Sequence, residues 1–314
     1  MHVLITGGAG FIGSSLGLAL LKKGLKVTSL DNFNDFYDPQ LKRKNIDRLS
    51  EFDLFTSIEG DIRDITIINK VFEPQIDVVI HLAAMAGVRP SIDDPRLYYD
   101  VNINGTFNIL EACAKNKPHK VIIASSSSVY GNNEKVPFSE ADNVDFPISP
   151  YAATKKMNEV MAYNFYHLHK IPICCCRFFT VYGPYQRPEM AIHKFTAMIN
   201  KEESIPVFNH GECERDYTYI DDIVHGIEQI MASDYTYDVV NLGESATIST
   251  NNLIELIERA LNKPALKNMM PAQTGDVDKT YADISHAKQK YGYNPQTKIA
   301  DGVTAFVKWY LDQV

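Results

Sequence analysis

Tyr151 and Lys155 stand one helical turn apart, shortly after a polar cluster, Ser125-Ser126-Ser127-Ser128, that ends the apolar run Val121-Ile122-Ile123-Ala124. The run reads as a buried parallel strand, and open α/β sheets bind ligands at the carboxyl ends of such strands. A spacing of four sets both side chains on one helix face, so both can enter one cleft. Pro147-Ile148-Ser149-Pro150 marks where that helix starts. A free phenol, with a pKa of roughly 10, is a weak base near neutral pH, but a nearby ammonium and a nicotinamide cation both favour the phenolate. Phenol, ammonium and serine hydroxyl around one carbinol carbon are the groups needed to move its proton while its hydride leaves for a nicotinamide. An enzyme is expected, and the rest of the chain must supply cofactor and substrate sites.

The cofactor elements lie at the start. Val3-Leu4-Ile5-Thr6 reads as a strand, and Gly7, Gly10 and Gly13 lead from it into the apolar-periodic helix of Leu16, Leu18, Leu20 and Leu21. Glycines at this spacing, with Phe11 and Ile12 between the last two, give a tight turn, close approach to a pyrophosphate and close helix packing. Asp31 ends the next strand, where a carboxylate accepts from a ribose diol and repels a 2'-phosphate, so NAD is favoured over NADP. Asn32 and Asn34 either reach the ribose and adenine or form turns before Pro39. Residues 41–52 read as a surface helix and loop, and Phe55 to Glu59 as a strand. Asp61 and Ile62 follow at the adenine side, Asp64 reads as a helix cap, and Leu82, Ala83 and Ala84 let backbone lie against the dinucleotide. His81 reads as structural. One helix from about Pro95 to Lys115 carries Asn102, expected to be held by the active-site network because asparagine is a poor mid-helix residue.

Composition bounds these readings. The 314 residues contain 31 basic and 39 acidic side chains, a net charge of -8, with no basic tract, so no nucleic-acid partner is expected. Cys174-Cys175-Cys176 alternate across a strand and cannot converge on one ion, which predicts buried thiols, no metal site and a reducing compartment. With no leader pattern after Met1 and no apolar run near the roughly 20 residues of a membrane span, the expectation is a cytoplasmic protein without membrane association.

Gly7 to Gly13, Asp31, the Ser-Ser-Val-Tyr-Gly strand end and Tyr151 to Lys155 resemble the extended short-chain dehydrogenase/reductase family over essentially the whole chain. Met85-Ala86-Gly87-Val88-Arg89, Ser125 to Gly131, Arg177 to Pro184 and Arg187-Pro188-Glu189-Met190 look most like the UDP-glucuronate 4-epimerases within it. The resemblance implies an α/β fold: a Rossmann-type doubly wound parallel sheet with a smaller mixed α/β substrate-binding domain. Residues 1–178 would form the NAD-binding domain with returning segments near 217–245 and 281–293, and 179–314 mostly the interleaved substrate domain. It implies catalysis by Ser126, Tyr151 and Lys155, with Ser127 and Ser128 near enough to exchange roles with Ser126 and to contact the sugar. Lys155 and Tyr151 would also touch the nicotinamide ribose.

The implied reaction is reversible 4-epimerisation of a UDP-hexuronic acid through a transient 4-keto sugar, with NAD staying bound. Arg89, Ser127, Ser128, Thr180, Arg187, Phe208, Arg215 and Asp276 are the residues implied for the substrate, with Arg187 near either carboxylate or diphosphate and Phe208 over uracil or in the core. Around Asp276 the usual arginine before Gly275 is absent. Asp221 and Asp222 read as caps, as does Thr250. Relatives that dehydrate or decarboxylate carry an acid where this chain has Ser128, which favours epimerisation. UDP-glucose or UDP-N-acetylglucosamine 4-epimerisation is the alternative, followed by dehydratase, decarboxylase and a non-catalytic NAD-binding protein. A homodimer is implied by the family.

Overall fold

The computed structural model describes residues 1–271 and 279–314. Seven strands form the central sheet: β1 (His2–Thr6), β2 (Lys26–Asp31), β3 (Phe55–Glu59), β4 (Val78–His81), β5 (Lys120–Ser126), β6 (Ile173–Phe178) and β7 (Tyr237–Leu242). All pair in parallel, in the order β7-β6-β5-β4-β1-β2-β3. The chain winds outward from β1 to β3, then returns to place β4 on the other side of β1. The carboxyl ends of β1 and β4 therefore border a crevice at the switch point of a doubly wound sheet. Continuous apolar runs such as Val3-Leu4-Ile5 and Val121-Ile122-Ile123 suit strands buried on both faces. The cysteine trio obeys the strand period: Cys174 and Cys176 join the core layer of Leu16 and Ile227, and Cys175 the opposite layer of Ile109 and Phe165.

Helix α1 (Phe11–Lys22) follows the glycine turn, and α2 (Pro39–Ser50) occupies much of the stretch read as surface helix and loop. Asp38 caps α2 by accepting from Gln40 N, and Lys42, Asn45, Ile46 and Leu49 turn inward. The helix expected over 95–115 is interrupted. Pro95–Tyr99 and α3 (Thr106–Asn116) flank a π turn at Asp100–Gly105. Asn102 sits in that widened turn, where its amide donates to Met85 O and Thr154 Oγ1 and its carbonyl accepts from Met85 N. Helix α4 (Pro150–His169) starts at the N-cap Ser149, with Pro150 in its first turn.

A separate apolar cluster joins Tyr182, Ile192, Phe195, Leu253, Ile257, Val303 and Phe306. It is built by helices Ala191–Asn200, α6 (Thr250–Leu261) and α7 (Ile299–Leu311), with short strand pairs such as Ser204–Phe208 on Leu266–Met270. Between these pieces the chain returns to the main sheet: α5 (Ile220–Ala232), β7 and Tyr291 of Ser285–Tyr291 pack in the first core layer. Ser249, not Thr250, caps α6, because its hydroxyl accepts from Asn252 N. Asp221 and Asp222 lie within the first turn of α5 instead of capping it. Asp222 accepts from Gln296 N and Thr297 N and so ties the C-terminal loop to α5.

Candidate active site

Strand β5 ends at Ser126, and its continuation turns sharply into a 3-10 turn at Ser127–Tyr130. The Ser126 hydroxyl accepts from Ser128 N and donates to Ser128 Oγ, both at 3.1 Å. This places Ser126 and Ser128 together at the strand end. Of the three serines, Ser126 is the one whose side chain acts on the Tyr151 phenol, drawing its pKa down. Ser127 lines the same cleft.

Tyr151, Lys155 and Glu159 follow one another by helical turns along α4. Burial pushes the Tyr151 phenol above its ordinary value, while the Ser126 hydrogen bond and the Arg187 charge pull it down. Lys155 Nζ lies 5.9 Å from the Tyr151 ring centroid and donates to Ala124 O at 2.8 Å. Burial lowers its pKa to about 8. The protein's own groups thus leave the phenol protonated more readily than the expected Tyr-Lys effect alone implies, because desolvation opposes it. Glu159, absent from the sequence expectations, accepts from Ser125 Oγ at 2.7 Å and from Arg177 Nε and Nη2 at 2.8 and 2.9 Å. Arg177 Nη1 donates onward to Tyr130 OH, which donates to Asn241. This buried fork locks α4 to the ends of β5 and β6. Its signal was present as Glu159 four residues after Lys155 and a charged Arg177 ending an apolar strand.

At the other end of the cleft, a Cβ on Gly7, whose φ is +71°, would stand 2.8 Å from Ala83 N, and one on Gly13 2.3 Å from Gly7 O. Side chains would therefore fill the cradle between the β1 turn and the Leu82-Ala83-Ala84 segment. Asp31 is buried and accepts from Ala9 N and Phe33 N. Burial raises its pKa, with Lys42 the leading opposing charge. Asn32 and Asn34 make the expected turns by accepting from Asn34 N and Phe36 N, and both also line the cleft. Asn32 donates to Asp61, whose carboxyl is held at about 2 chiefly by hydrogen bonds from Arg63. His81 is structural: burial lowers it to about 3, and its ring nitrogens bond Thr6 and Thr106.

Both ends belong to one cleft of about 390 Å³, of a size suited to small organic ligands. Its wall runs from Gly7, Gly10, Phe11, Ile12, Gly13, Asp31, Asp61 and Ile62 to Ser126, Ser127, Ser128, Tyr151, Lys155, Thr180 and Arg187. Met85 and Met190, from two of the motifs that carry the resemblance, also line it, and so do Phe36, Tyr37, Lys42 and Arg63, which were not anticipated. They arrive through folds of loop and helix that leave no local periodic mark. Among the described lining residues, the only carboxylates are Asp31 and Asp61, at the glycine-turn end.

Several expected residues fall elsewhere. Asn102 is fully buried behind the wall, where it fixes the Met85 loop and Thr154 of α4, so its place is that of a positioning residue. The Arg89 guanidinium faces the Phe208 ring at 5.4 Å, and neither lines the described cleft. Phe208 lies in the strand pair with Met270. Arg215, also outside the described wall, donates to Glu214 O beside buried Asp216. Burial raises Asp216 to about 6 although it accepts from Glu244 N, Ser245 N and Ala282 N. Asp276 lies outside the described residues.

The GDP-mannose 4,6 dehydratase family model matches residues 4–306. UDP-glucuronate 4-epimerase 2 of Arabidopsis thaliana is 44% identical over 330 residues, covering 99% of this chain and 76% of that protein. A crystal structure of the UDP-glucuronic acid 4-epimerase from Bacillus cereus with UDP-glucuronic acid and NAD superposes with a TM-score of 0.95 at 37% identity, covering all of both chains. A UDP-N-acetylglucosamine 4-epimerase from Methanobrevibacter ruminantium, in complex with UDP-N-acetylmuramic acid, gives 0.92 at 32% identity, covering 100% of this chain and 99% of that one.

Proposed function

Because the chain belongs to the extended short-chain dehydrogenase/reductase enzymes that share the GDP-mannose 4,6 dehydratase family model, we propose that it interconverts UDP-glucuronate and UDP-galacturonate by epimerising C4. The enzyme is an NAD-dependent nucleotide-sugar 4-epimerase. NAD fits the cradle: the glycine turn admits a pyrophosphate at the start of α1, and the Asp31 carboxylate suits a ribose diol. When bound, NAD supplies an acceptor for the C4 hydride and gives it back to the other face of the sugar.

The chain's own groups handle the proton and the orientation. Tyr151 takes the C4 hydroxyl proton and returns it, and the Ser126 hydroxyl, turned from Ser128 toward the phenol, would donate to the same oxygen and favour the phenolate. Lys155, anchored on Ala124 O, offers its remaining hydrogens to the nicotinamide ribose and the phenol. Arg187, Thr180, Ser127 and Ser128 supply a cation and hydroxyls for the uronate carboxylate or adjoining diphosphate. Holding the carboxylate matters because a 4-keto uronate is a β-keto acid able to lose carbon dioxide.

The observation that carries epimerisation over dehydration or decarboxylation is the position of the cleft's described acids. Neither Asp31 nor Asp61 lies at the serine end, where proton chemistry beyond C4 would need one. Incubation with NAD and, separately, UDP-glucuronate, UDP-glucose and UDP-N-acetylglucosamine, followed by proton NMR of the sugars, tests the reading. UDP-galacturonate is the expected product; turnover of a neutral sugar alone would overturn the carboxylate assignment.

The sheet-centred core of residues 1–178 with its returning segments is read as the NAD-binding domain, and the cluster around Phe306 as the substrate domain. A homodimer is supported by exposed apolar side chains at Met157, Val160 and Tyr163, three apart along α4, and at Phe107 on α3, whose ring packs on Phe165 of α4. Buried, unpaired thiols at Cys174 to Cys176 fit a reducing cytoplasm.

A further inference from the structure

The loop over residues 183–190 carries Arg187 to the cleft, and its backbone is unusual. Gly183 has φ +141° and Tyr185 φ +67°. A bulky residue persists in the left-handed region only where its surroundings hold it. On Tyr185 those surroundings are a cation and a second ring: the Arg48 guanidinium carbon lies 3.5 Å from its ring centroid, and Trp309 packs at 5.0 Å between centroids. Arg48 Nη1 is buried and bonded to no described residue. The tyrosine face is therefore a principal compensation for hydration that the guanidinium has lost.

Arg48 belongs to α2, whose earlier residues serve the cofactor side. Lys42 Nζ donates to Asn34 O, and Asn45 Nδ2 donates to Ala9 O in the glycine turn. At the cleft mouth the Arg187 guanidinium stands 5.9 Å from the Phe36 ring centroid. The Arg187 loop is thus docked twice on residues 32–50, once at Phe36 and once at Arg48. We propose that Arg48 is a positioning residue: stacked on Tyr185, it fixes this loop to α2 and sets where Arg187 meets the anionic part of the substrate. The proposal rests on the reading of Arg187 as a substrate-facing cation. Arg48 would then govern substrate affinity and not the redox chemistry.

The test uses NAD-loaded wild type, Arg48→Ala, Arg187→Ala and the double variant. UDP-glucuronate affinity is measured by calorimetry, and KM and kcat on the alkaline plateau of the pH profile. Arg48→Ala is expected to weaken binding and raise KM about tenfold, with kcat within about twofold of wild type. In the double variant the loss should not exceed that of Arg187→Ala alone, since Arg48 acts through Arg187. Tyr185→Phe keeps the ring and should match wild type, whereas Tyr185→Ala should reproduce Arg48→Ala. Bound NAD and thermal unfolding of each variant separate displaced positioning from lost folding. Unchanged affinity in Arg48→Ala, additive losses in the double variant, or an affinity loss that follows loss of bound NAD or of the fold would overturn the proposal. Absence of uronate binding by wild type would overturn the substrate reading and this proposal with it; wild-type binding with an unaffected Arg48→Ala overturns this proposal alone.

Discussion

Tyr151 is pulled in two directions. Its burial in the cleft favours the neutral phenol, and the Ser126 hydrogen bond and Arg187 charge favour the anion that epimerisation requires. Tyr151→Phe should keep NAD binding, measured by retained absorbance after gel filtration, and lower interconversion by about 10²- to 10⁴-fold as general-base catalysis is lost. Ser126→Ala removes a bond that lowers the phenol's pKa, so the acidic limb of the kcat profile should move to higher pH. A limb that stays in place would assign that hydrogen bond no role in the ionisation. Lys155 makes a separate, thermodynamic prediction. Its folded pKa of about 8 lies below a lysine's ordinary value of 10.5, so between those values the unfolded chain binds more protons and this group's contribution to stability rises with pH. Below pH 8 that contribution is lost. Lys155→Met should remove the term and gain on the order of a few kcal/mol at neutral pH, seen as a smaller difference between mutant and wild-type unfolding at pH 10 than at pH 8. That Tyr151, Lys155 and Ser126 share one cleft was legible because the proposed proton and hydride chemistry restricts their types and spacing. Lys42 was not, since the inward face of α2 depends on packing against the glycine turn, far away in sequence.

Helix α4 presents Tyr151, Lys155 and Glu159 at successive turns, and each is held differently: by a serine hydroxyl, a strand carbonyl and a buried guanidinium. The Glu159–Arg177 pair is 3% to 4% exposed, which makes its removal asymmetric. Glu159→Ala leaves a buried charge and should cost about 3–5 kcal/mol in urea unfolding. Replacing both partners by Leu and Met should cost much less, and equal losses in the single and double variants would refute this account. Element types were readable because β1, β4 and β5 are long apolar runs and α4 announces its start with Ser149-Pro150. The π turn at Asp100–Gly105 was not. It places Asn102 against Met85, seventeen residues earlier, and such a contact leaves no trace in local propensity. Arg89 and Phe208 likewise meet only because a helix from the first half reaches a strand of the second.

For the whole molecule, strand-helix alternation pointed to the doubly wound sheet, whose first six strands, from His2 to Phe178, are added outward from β1 in chain order, first on one side and then on the other. Interleaving was harder to locate, because β7 returns to an edge that only β6 offers, with no linker to announce it. The same scale holds the assembly prediction. Val160→Asp with Tyr163→Asp, both on an exposed face of α4, should convert a dimer to monomer in sedimentation velocity with the fold retained by circular dichroism. An unchanged sedimentation coefficient would move the interface elsewhere. The cysteine trio offers a different kind of measurement. Three adjacent thiols lie in two opposite core layers, Cys174 and Cys176 in one and Cys175 in the other, all fully buried. They are native clocks for how the protein breathes. If the helical layers peel off independently, Cys175 will be trapped by a thiol reagent at its own rate; if the sheet opens as one cooperative unit, all three will be labelled together, and NAD will slow them by one common factor.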